Sequence, residues 1–415
     1  MIDWNETQRM MRDMIKSFVQ AEIVPNLEQL EHGDMPPYDI LRKMMKTFGM
    51  DAMAKMRFDS QIAMEKRIAA GEIIEKKEKS DDANSGFSKL DQAAMSMIPI
   101  IELCRYCPGM VTAMGVSVGL TAGAIMSKGT IAQKERWALP ILTMEKIGSW
   151  AITEPNSGSD AFGSMRASAR KNADGTYTLN GNKTFITNGP HADTIVFICK
   201  LEDKNVEMRD RKILSFILDR GMKGLTQTKA LRKMGLHSSP TGELFLQDVV
   251  VTPDRLIGET EEISARSGAK DTFSSERAGV AAMALGIVER CLELSVNYAK
   301  TRVQFGKPIA EFQLIQEKLA KMEVARVNLQ NMVYRYIELV GSGRQPTLAE
   351  ASAMKLYAAR AAMEVALEAV QVHGGNGYMA EYQVEQLCRD AKILQIYAGT
   401  DEIQITHIAK DLLGR

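Results

Sequence analysis

Apolar positions recur at three- and four-residue spacing through the first third of the chain, the period of a helix with one buried face. Residues 5–33 and 37–57 read as helices, separated by Pro36-Pro37, where the missing N–H and fixed φ interrupt a helix. A polar stretch from Lys66 to Ser88 follows, containing Glu75-Lys76-Lys77-Glu78-Lys79 and Ser80-Asp81-Asp82-Ala83-Asn84-Ser85-Gly86. It reads as a solvated helix end and a loop. Residues 89–147 return to the helical pattern. At Ile147-Gly148 the texture changes: Val, Ile, Thr and Phe rise, and turn signals such as Asn172-Ala173-Asp174-Gly175 and Asn180-Gly181-Asn182 break short segments. Thr176–Asn180 alternates like a hairpin strand, and Thr194–Ile198 and Lys212–Leu218 read as further strands, to about Gly258. From Ser274 the pattern is helical again, over Glu276–Thr301, Glu311–Ser342, Thr347–His373 and Glu381–Tyr397. Helices, then strands, then helices predict three units, over 1–147, 148–260 and 261–415, with no internal repeat.

Composition narrows the function classes. Of 415 residues, 45% are apolar and 25% charged, ordinary for a soluble globular protein. The formal net charge of zero gives no bulk electrostatic argument for nucleic acid or a membrane surface. No run of about 18 apolar residues is evident, so no membrane insertion is expected. The start, Met1-Ile2-Asp3-Trp4-Asn5-Glu6, has neither a basic nor an apolar leader pattern, which predicts a cytoplasmic location. Five cysteines make no disulfide scaffold. Cys104-Arg105-Tyr106-Cys107 has no second ligand pair nearby and reads as buried helix-end thiols, so no metal site is expected. Methionines cluster at 44, 45, 50, 53 and 56; they read as core, with a flexible apolar pocket as the sharper alternative.

Several segments carry candidate chemistry. In Trp150-Ala151-Ile152-Thr153-Glu154-Pro155-Asn156-Ser157-Gly158-Ser159-Asp160 and in Thr184-Phe185-Ile186-Thr187-Asn188-Gly189, small residues and hydroxyls expose backbone N–H groups suited to a phosphate or the polar edge of a ring. Each alone is equally a tight turn after a strand. In Lys233-Met234-Gly235-Leu236-His237-Ser238-Ser239 the lone His237 reads as a packing residue. Arg302-Val303-Gln304-Phe305-Gly306-Lys307-Pro308, with Phe312-Gln313, offers a planar guanidinium that suits a pyrophosphate, or is a helix-ending loop. Gln371-Val372-His373-Gly374-Gly375-Asn376-Gly377-Tyr378 permits close backbone approach. Glu276, after Ser274 and Ser275, reads by itself as a capped first-turn glutamate, favourable with the helix dipole.

In this order, and with Gln395-Ile396-Tyr397-Ala398-Gly399-Thr400-Asp401-Glu402-Ile403-Gln404, these segments resemble the flavin-dependent acyl-CoA dehydrogenase family. The resemblance runs from about residue 5 to 412 and is weakest over 57–90, where relatives have a shorter connection and an insertion capping the substrate mouth is the alternative to a loop. It implies an α+β multidomain fold: an N-terminal helical domain, a central antiparallel β-barrel-like domain and a C-terminal four-helix bundle. It implies FAD, with Trp150, Ile152, Thr153, Gly158, Ser159, Phe185 and Thr187 around the flavin. Phe185 stands where many relatives have tryptophan. Arg302, Gln304, Phe305, Gln313, Gln371, Gly375, Thr400 and Glu402 would hold the dinucleotide, partly across a subunit interface. That implies a homo-oligomer, by family habit a homotetramer built as a dimer of dimers.

Most of the family has its catalytic glutamate where this chain has Ala398; isovaleryl- and long-chain-type members place it where this chain has Glu276. The resemblance therefore implies Glu276 as base and the Ala398 backbone N–H as a donor to the thioester oxygen. Ser159, Arg277, Tyr397 and Gly399 would bind acyl-CoA, and electron-transfer flavoprotein would be the electron acceptor. The room freed at Ala398 implies a branched, cyclic or aryl-substituted acyl chain. Four alternatives stay open: a substituted succinyl-CoA dehydrogenase; a flavoprotein working in the enoyl-reducing direction, or coupling oxidation to loss of a substrate group; a non-catalytic flavin- or acyl-CoA-binding subunit; and a helical scaffold.

Overall fold

A computed structural model describes residues 3–33, 35–72, 88–263 and 265–414, with backbone alone over 265–275. Most of the polar stretch expected over 66–88 therefore lies outside the described residues. The N-terminal region contains α1 (Glu6–Phe18), α2 (Leu27–Glu31), α3 (Tyr38–Thr47), α4 (Met50–Ala69), α5 (Lys89–Cys104), α6 (Pro108–Met114), α7 (Gly123–Lys128), α8 (Ile131–Gln133) and α9 (Leu139–Leu142). Asn5 opens α1 with a capping box: its side chain accepts from Gln8 N–H while the Gln8 side chain caps Asn5 N–H. Wider π-helical turns at Val19–Ile23, Gly115–Ala122 and Lys134–Ala138 interrupt the α geometry.

The run Pro108–Lys128 is long and apolar enough, by length and composition, to cross a membrane, contrary to the sequence expectation. In this fold it packs beneath the sheet. Ser117 Oγ accepts from Gly148 N–H at 2.8 Å, and a Cβ on Gly148 would stand 2.8 Å from Thr121.

Seven strands follow: β1 (Gly148–Ala151), β2 (Ser168–Lys171), β3 (Tyr177–Thr187), β4 (Thr194–Leu201), β5 (Ile213–Asp219), β6 (Leu225–Gln227) and β7 (Thr241–Val251). They form one open sheet in the order β1-β4-β2-β3-β7-β6, with β5 pairing β4. The expectation of an antiparallel, barrel-like unit needs correction. β4 runs parallel to both β1 and β2, and β6 does not return to close the sheet. β4 is buried along almost its whole length, because it has neighbours on both edges and packing on its faces.

The C-terminal bundle is built from α10 (Ala265–Thr301), α11 (Gln313–Gly341), α12 (Leu348–His373), α13 (Val384–Ile393) and α14 (Asp401–Leu412); a two-stranded hairpin, β8 (Val303–Gln304) and β9 (Lys307–Pro308), joins α10 to α11. Alanines at 351, 358, 359, 362, 366 and 369 form the buried stripe of α12, where the long helices approach closely. On α10, a Cβ at Gly286 would meet Ile101 O at 2.2 Å, so glycine there permits the contact with α5. One apolar core joins the N-terminal helices to this bundle, and a second lies between the sheet and α7–α9.

Candidate active site

Glu276 does not begin a helix. α10 starts at Ala265, so Glu276 lies three turns inside it, and neither an N-cap nor the helix dipole accounts for a glutamate there. Burial pushes its carboxyl up to about 7, partly opposed by the nearby cations Arg277 and Lys355. Arg277, from the same helix, is buried, and its Nη1 donates to Ser352 Oγ of α12 at 3.0 Å.

Facing these residues is the turn between α13 and α14. The helix expected over Glu381–Tyr397 is shorter, Val384–Ile393, and the chain then unwinds. Ala398 (φ 53°) and Gly399 (φ 88°) are consecutive left-handed residues, a conformation that costs alanine about 1–3 kcal/mol unless its surroundings hold it. They are held. Gln404 Nε2 donates to Ala398 O at 3.0 Å and to Gly399 O at 2.7 Å, and Lys355 Nζ donates to Gly399 O at 2.8 Å. Thr400 caps α14 by accepting from Ile403 N–H. Among the described residues, no acceptor meets the Ala398 N–H. Tyr397 donates its hydroxyl to Met283 Sδ of α10 at 3.2 Å, and burial holds its phenol above the usual range, with Glu276 contributing. The fold thus brings Glu276, Arg277, Tyr397, Ala398 and Gly399 into one neighbourhood, from segments about 120 residues apart in sequence.

A second cluster lies on the sheet. Trp150 is in β1; Ile152 and Thr153 follow it, and Thr153 O accepts from Thr184 N–H of β3 at 2.9 Å, which sets this loop beside Phe185 and Thr187. Phe185 sits at a break in the β3–β7 register with φ 56° and is 69% exposed, an aromatic face without a cover. Neither the Thr153 nor the Thr187 hydroxyl has a partner among the described residues. Gly158 and Ser159 are exposed in the following loop.

A buried ion pair underlies this cluster. Lys183 Nζ donates to Glu154 Oε1 and to Ile152 O, each at 2.9 Å, while the Glu154 carboxylate accepts from Arg166 and Ala167 N–H at 2.7 and 3.0 Å. The pair pins the residues on either side of Thr153.

A third group is exposed: Arg302, Gln304 and Phe305 on the β8–β9 hairpin, Gln313 at the start of α11, and Gln371 and Gly375 at the end of α12. Phe305 is 94% exposed and in the left-handed region. Tyr298 ties this group together by stacking on His373 at 4.3 Å and accepting from Asn376 Nδ2 at 3.0 Å. Glu402 is exposed at the start of α14.

His237 serves packing. Its two ring nitrogens lie 2.6 Å from Glu31 O and 2.9 Å from Lys233 O, tying the N-terminal helices to the loop before β7. Beside it, burial raises both the Glu31 and Asp390 carboxyls, and Cys107 meets Ser238 Oγ at 2.9 Å. Cys104 and Cys107 are buried at helix ends.

Sequence reasoning missed Lys355, Gln404 and the Lys183–Glu154 pair. Lys355 carried a signal: it occupies the alanine stripe of α12, four residues after Ala351 and three before Ala358, where an unpaired cation would be costly.

A carboxylate with raised proton affinity, a backbone N–H in a braced turn and an exposed aromatic face beside two hydroxyls define an acid–base site next to a ring-binding surface. The described sequence families agree. The middle domain of acyl-CoA dehydrogenases matches residues 149–249, and the acyl-CoA dehydrogenase C-terminal domain matches residues 267–413. The chain is 43% identical over 309 residues to a short-chain-specific acyl-CoA dehydrogenase of Megasphaera elsdenii, covering 74% of this chain and 79% of that one. It is 36% identical over 410 residues to an acyl-CoA dehydrogenase of Bacillus subtilis, covering 99% and 98%. It is 39% identical over 285 residues to a 3-(aryl)acrylate reductase of Clostridium sporogenes, covering 69% and 74%. Among solved structures, butyryl-CoA dehydrogenase from Megasphaera elsdenii superposes with a TM-score of 0.82 at 35% identity over 99% of each chain. An acyl-CoA dehydrogenase complexed with FAD from Bacillus anthracis gives 0.79 at 28% identity, over 99% of this chain and 68% of that one. The chain belongs to the acyl-CoA dehydrogenase family of oxidoreductases.

Proposed function

We propose that this chain is an FAD-dependent dehydrogenase that removes the α-proton of an acyl-CoA thioester with Glu276, yielding a 2-enoyl-CoA. The observation that carries the reading is Glu276 itself: a carboxyl pushed up to about 7, beside a turn whose Ala398 offers no carboxylate. A base is most effective when its proton affinity lies near the working pH, and burial supplies that here. The Ala398 N–H, without an acceptor among the described residues, donates to the thioester oxygen as it gains enolate character. Tyr397 and Gly399 border the acyl group. Arg277, engaged with Ser352, holds α10 to α12 beneath it.

The residues present fit FAD. The bare Phe185 face and the two unengaged hydroxyls suit the ring, and the exposed Arg302, Gln304 and Phe305 suit a pyrophosphate and base. When bound, FAD accepts the hydride from Cβ. That third group lies exposed in a single chain, which favours a pocket completed by a second copy, in a homotetramer. Ala398 leaves room where a glutamate would stand, which favours a branched, cyclic or aryl-substituted acyl chain. Electron-transfer flavoprotein is the proposed acceptor and the cytoplasm the proposed location. The similarity to an aryl-acrylate reductase supports a second reading, in which the same residues work in the enoyl-reducing direction.

The test is anaerobic flavin bleaching of the purified protein by butyryl-, isovaleryl- and 3-phenylpropionyl-CoA, with Glu276→Gln alongside. Bleaching by a branched or aryl thioester that is lost in the variant supports base and substrate class together. Bleaching that survives in Glu276→Gln removes Glu276 from the mechanism. A reduced flavin that is reoxidised by an enoyl-CoA, where no saturated thioester bleaches the oxidised enzyme, selects the reductive direction.

A further inference from the structure

Lys355 has no role in the reading above, yet it connects both halves of the site. Its side chain is fully buried, and Nζ has two partners: Gly399 O at 2.8 Å and the Asp401 carboxylate at 3.5 Å. Arg360, one turn along α12, holds the same carboxylate at 3.1 Å. On α10, packed against α12, Arg277 acts on Lys355, as do Asp401 and Glu402 of α14.

We propose that Lys355 is a positioning residue for the dehydrogenation: it braces the turn that carries the Ala398 N–H. The inference rests on the assignment of Glu276 and the Ala398 turn given above. The brace is needed because Ala398 and Gly399 are both left-handed, and only fixed carbonyls hold two such residues in register. Gln404 grips both carbonyls from α14, and Lys355 grips the second from α12. Together they fix the Ala398 backbone, and with it the direction of its N–H.

The experiment uses the FAD-loaded protein and the variants Lys355→Met, Lys355→Gln and Lys355→Arg. Methionine keeps the buried volume without charge, glutamine keeps a shorter donor without charge, and arginine keeps the charge. The first readout is the limiting rate and half-saturation of flavin reduction by the most effective of the three thioesters. The rate should fall by about tenfold to a hundredfold in Lys355→Met, with a smaller change in half-saturation, and recover part of the way in Lys355→Gln and Lys355→Arg, which keep a donor for Gly399 O. The second readout, thermal melting with flavin retention, separates this from a purely structural lysine, which would lower the amount of folded, flavin-loaded protein and leave the rate of the remaining protein in place. A wild-type limiting rate in folded, flavin-loaded Lys355→Met, or no recovery in either donor-bearing variant, overturns the proposal. Should no thioester bleach the wild-type flavin, the dehydrogenase reading fails, while the shift of the oxidised flavin spectrum on adding an enoyl-CoA, compared between wild type and Lys355→Met, still decides whether Lys355 sets the turn.

Discussion

Replacing Glu276 by glutamine should make the protein more stable at alkaline pH while disabling it. The carboxyl is raised from 4.5 to about 7. An acid with a raised folded-state value keeps its proton in the fold over a range where the unfolded chain has released it. Stability therefore falls as pH rises from about 4.5 to about 7, and the full cost is present above that range. The cost of ionising the buried carboxyl in the fold is on the order of 1–3 kcal/mol. Glutamine has nearly the same shape and no such slope. Its stability advantage over wild type should be under about 1 kcal/mol at pH 5 and grow to about 1–3 kcal/mol at pH 8. Urea unfolding of both proteins at the two pH values, followed by circular dichroism, measures this. Differences between variants carry the argument, since a chain of several units need not unfold in one step. A stability difference that is the same at pH 5 and pH 8 would refute the claim that burial holds the Glu276 carboxyl above its ordinary range. The same variant should reduce flavin more slowly by about 10²–10⁴, the usual contribution of a general base.

Two other substitutions probe the supports of the site. Gly399→Ala puts a Cβ 2.7 Å from Gln404 Nε2 at a φ of 88°, so it should destabilise the turn by about 1–3 kcal/mol and slow thioester-dependent bleaching at least tenfold; unchanged stopped-flow rates would show that the turn geometry does not matter. Lys183→Met leaves the Glu154 carboxylate buried without its cation, which should cost about 3–5 kcal/mol and loosen flavin retention, read by thermal melting and by the bound flavin absorbance after gel filtration.

Much of the architecture was legible because periodicity is a local property. Helices α11 and α12 and strands β4 and β5 begin and end within a few residues of the pattern that predicts them, since one face of each must be apolar to be buried; α1, α3 and α5 begin where expected but end well before the pattern does, and β3 runs on past it. Thr347, which opens α12 through a capping box with Glu350, marks its helix in sequence as plainly as in space. Pairing between strands was less legible. Nothing in Gly148–Ala151 or Ser168–Lys171 says that both run parallel to β4, because direction depends on connections and on the helices that cover each face.

The same division holds within the site. The motifs around Glu276, Ala398 and Phe185 are contiguous segments, and their order along the chain was enough to bring out a family resemblance. By itself the sequence determined that a glutamate at 276 accompanies an alanine at 398. It also determined that the chain alternates helical, stranded and helical texture. Only the tertiary structure decided that Glu276 lies inside a helix starting at Ala265, rather than at its capped first turn. Local capping residues are only a weak constraint on where a long helix begins. It also decided that Lys355, Gln404 and the Lys183–Glu154 pair support the reacting groups. Those roles depend on the desolvation and short distances created when segments far apart in sequence meet, and neither quantity exists before the chain folds.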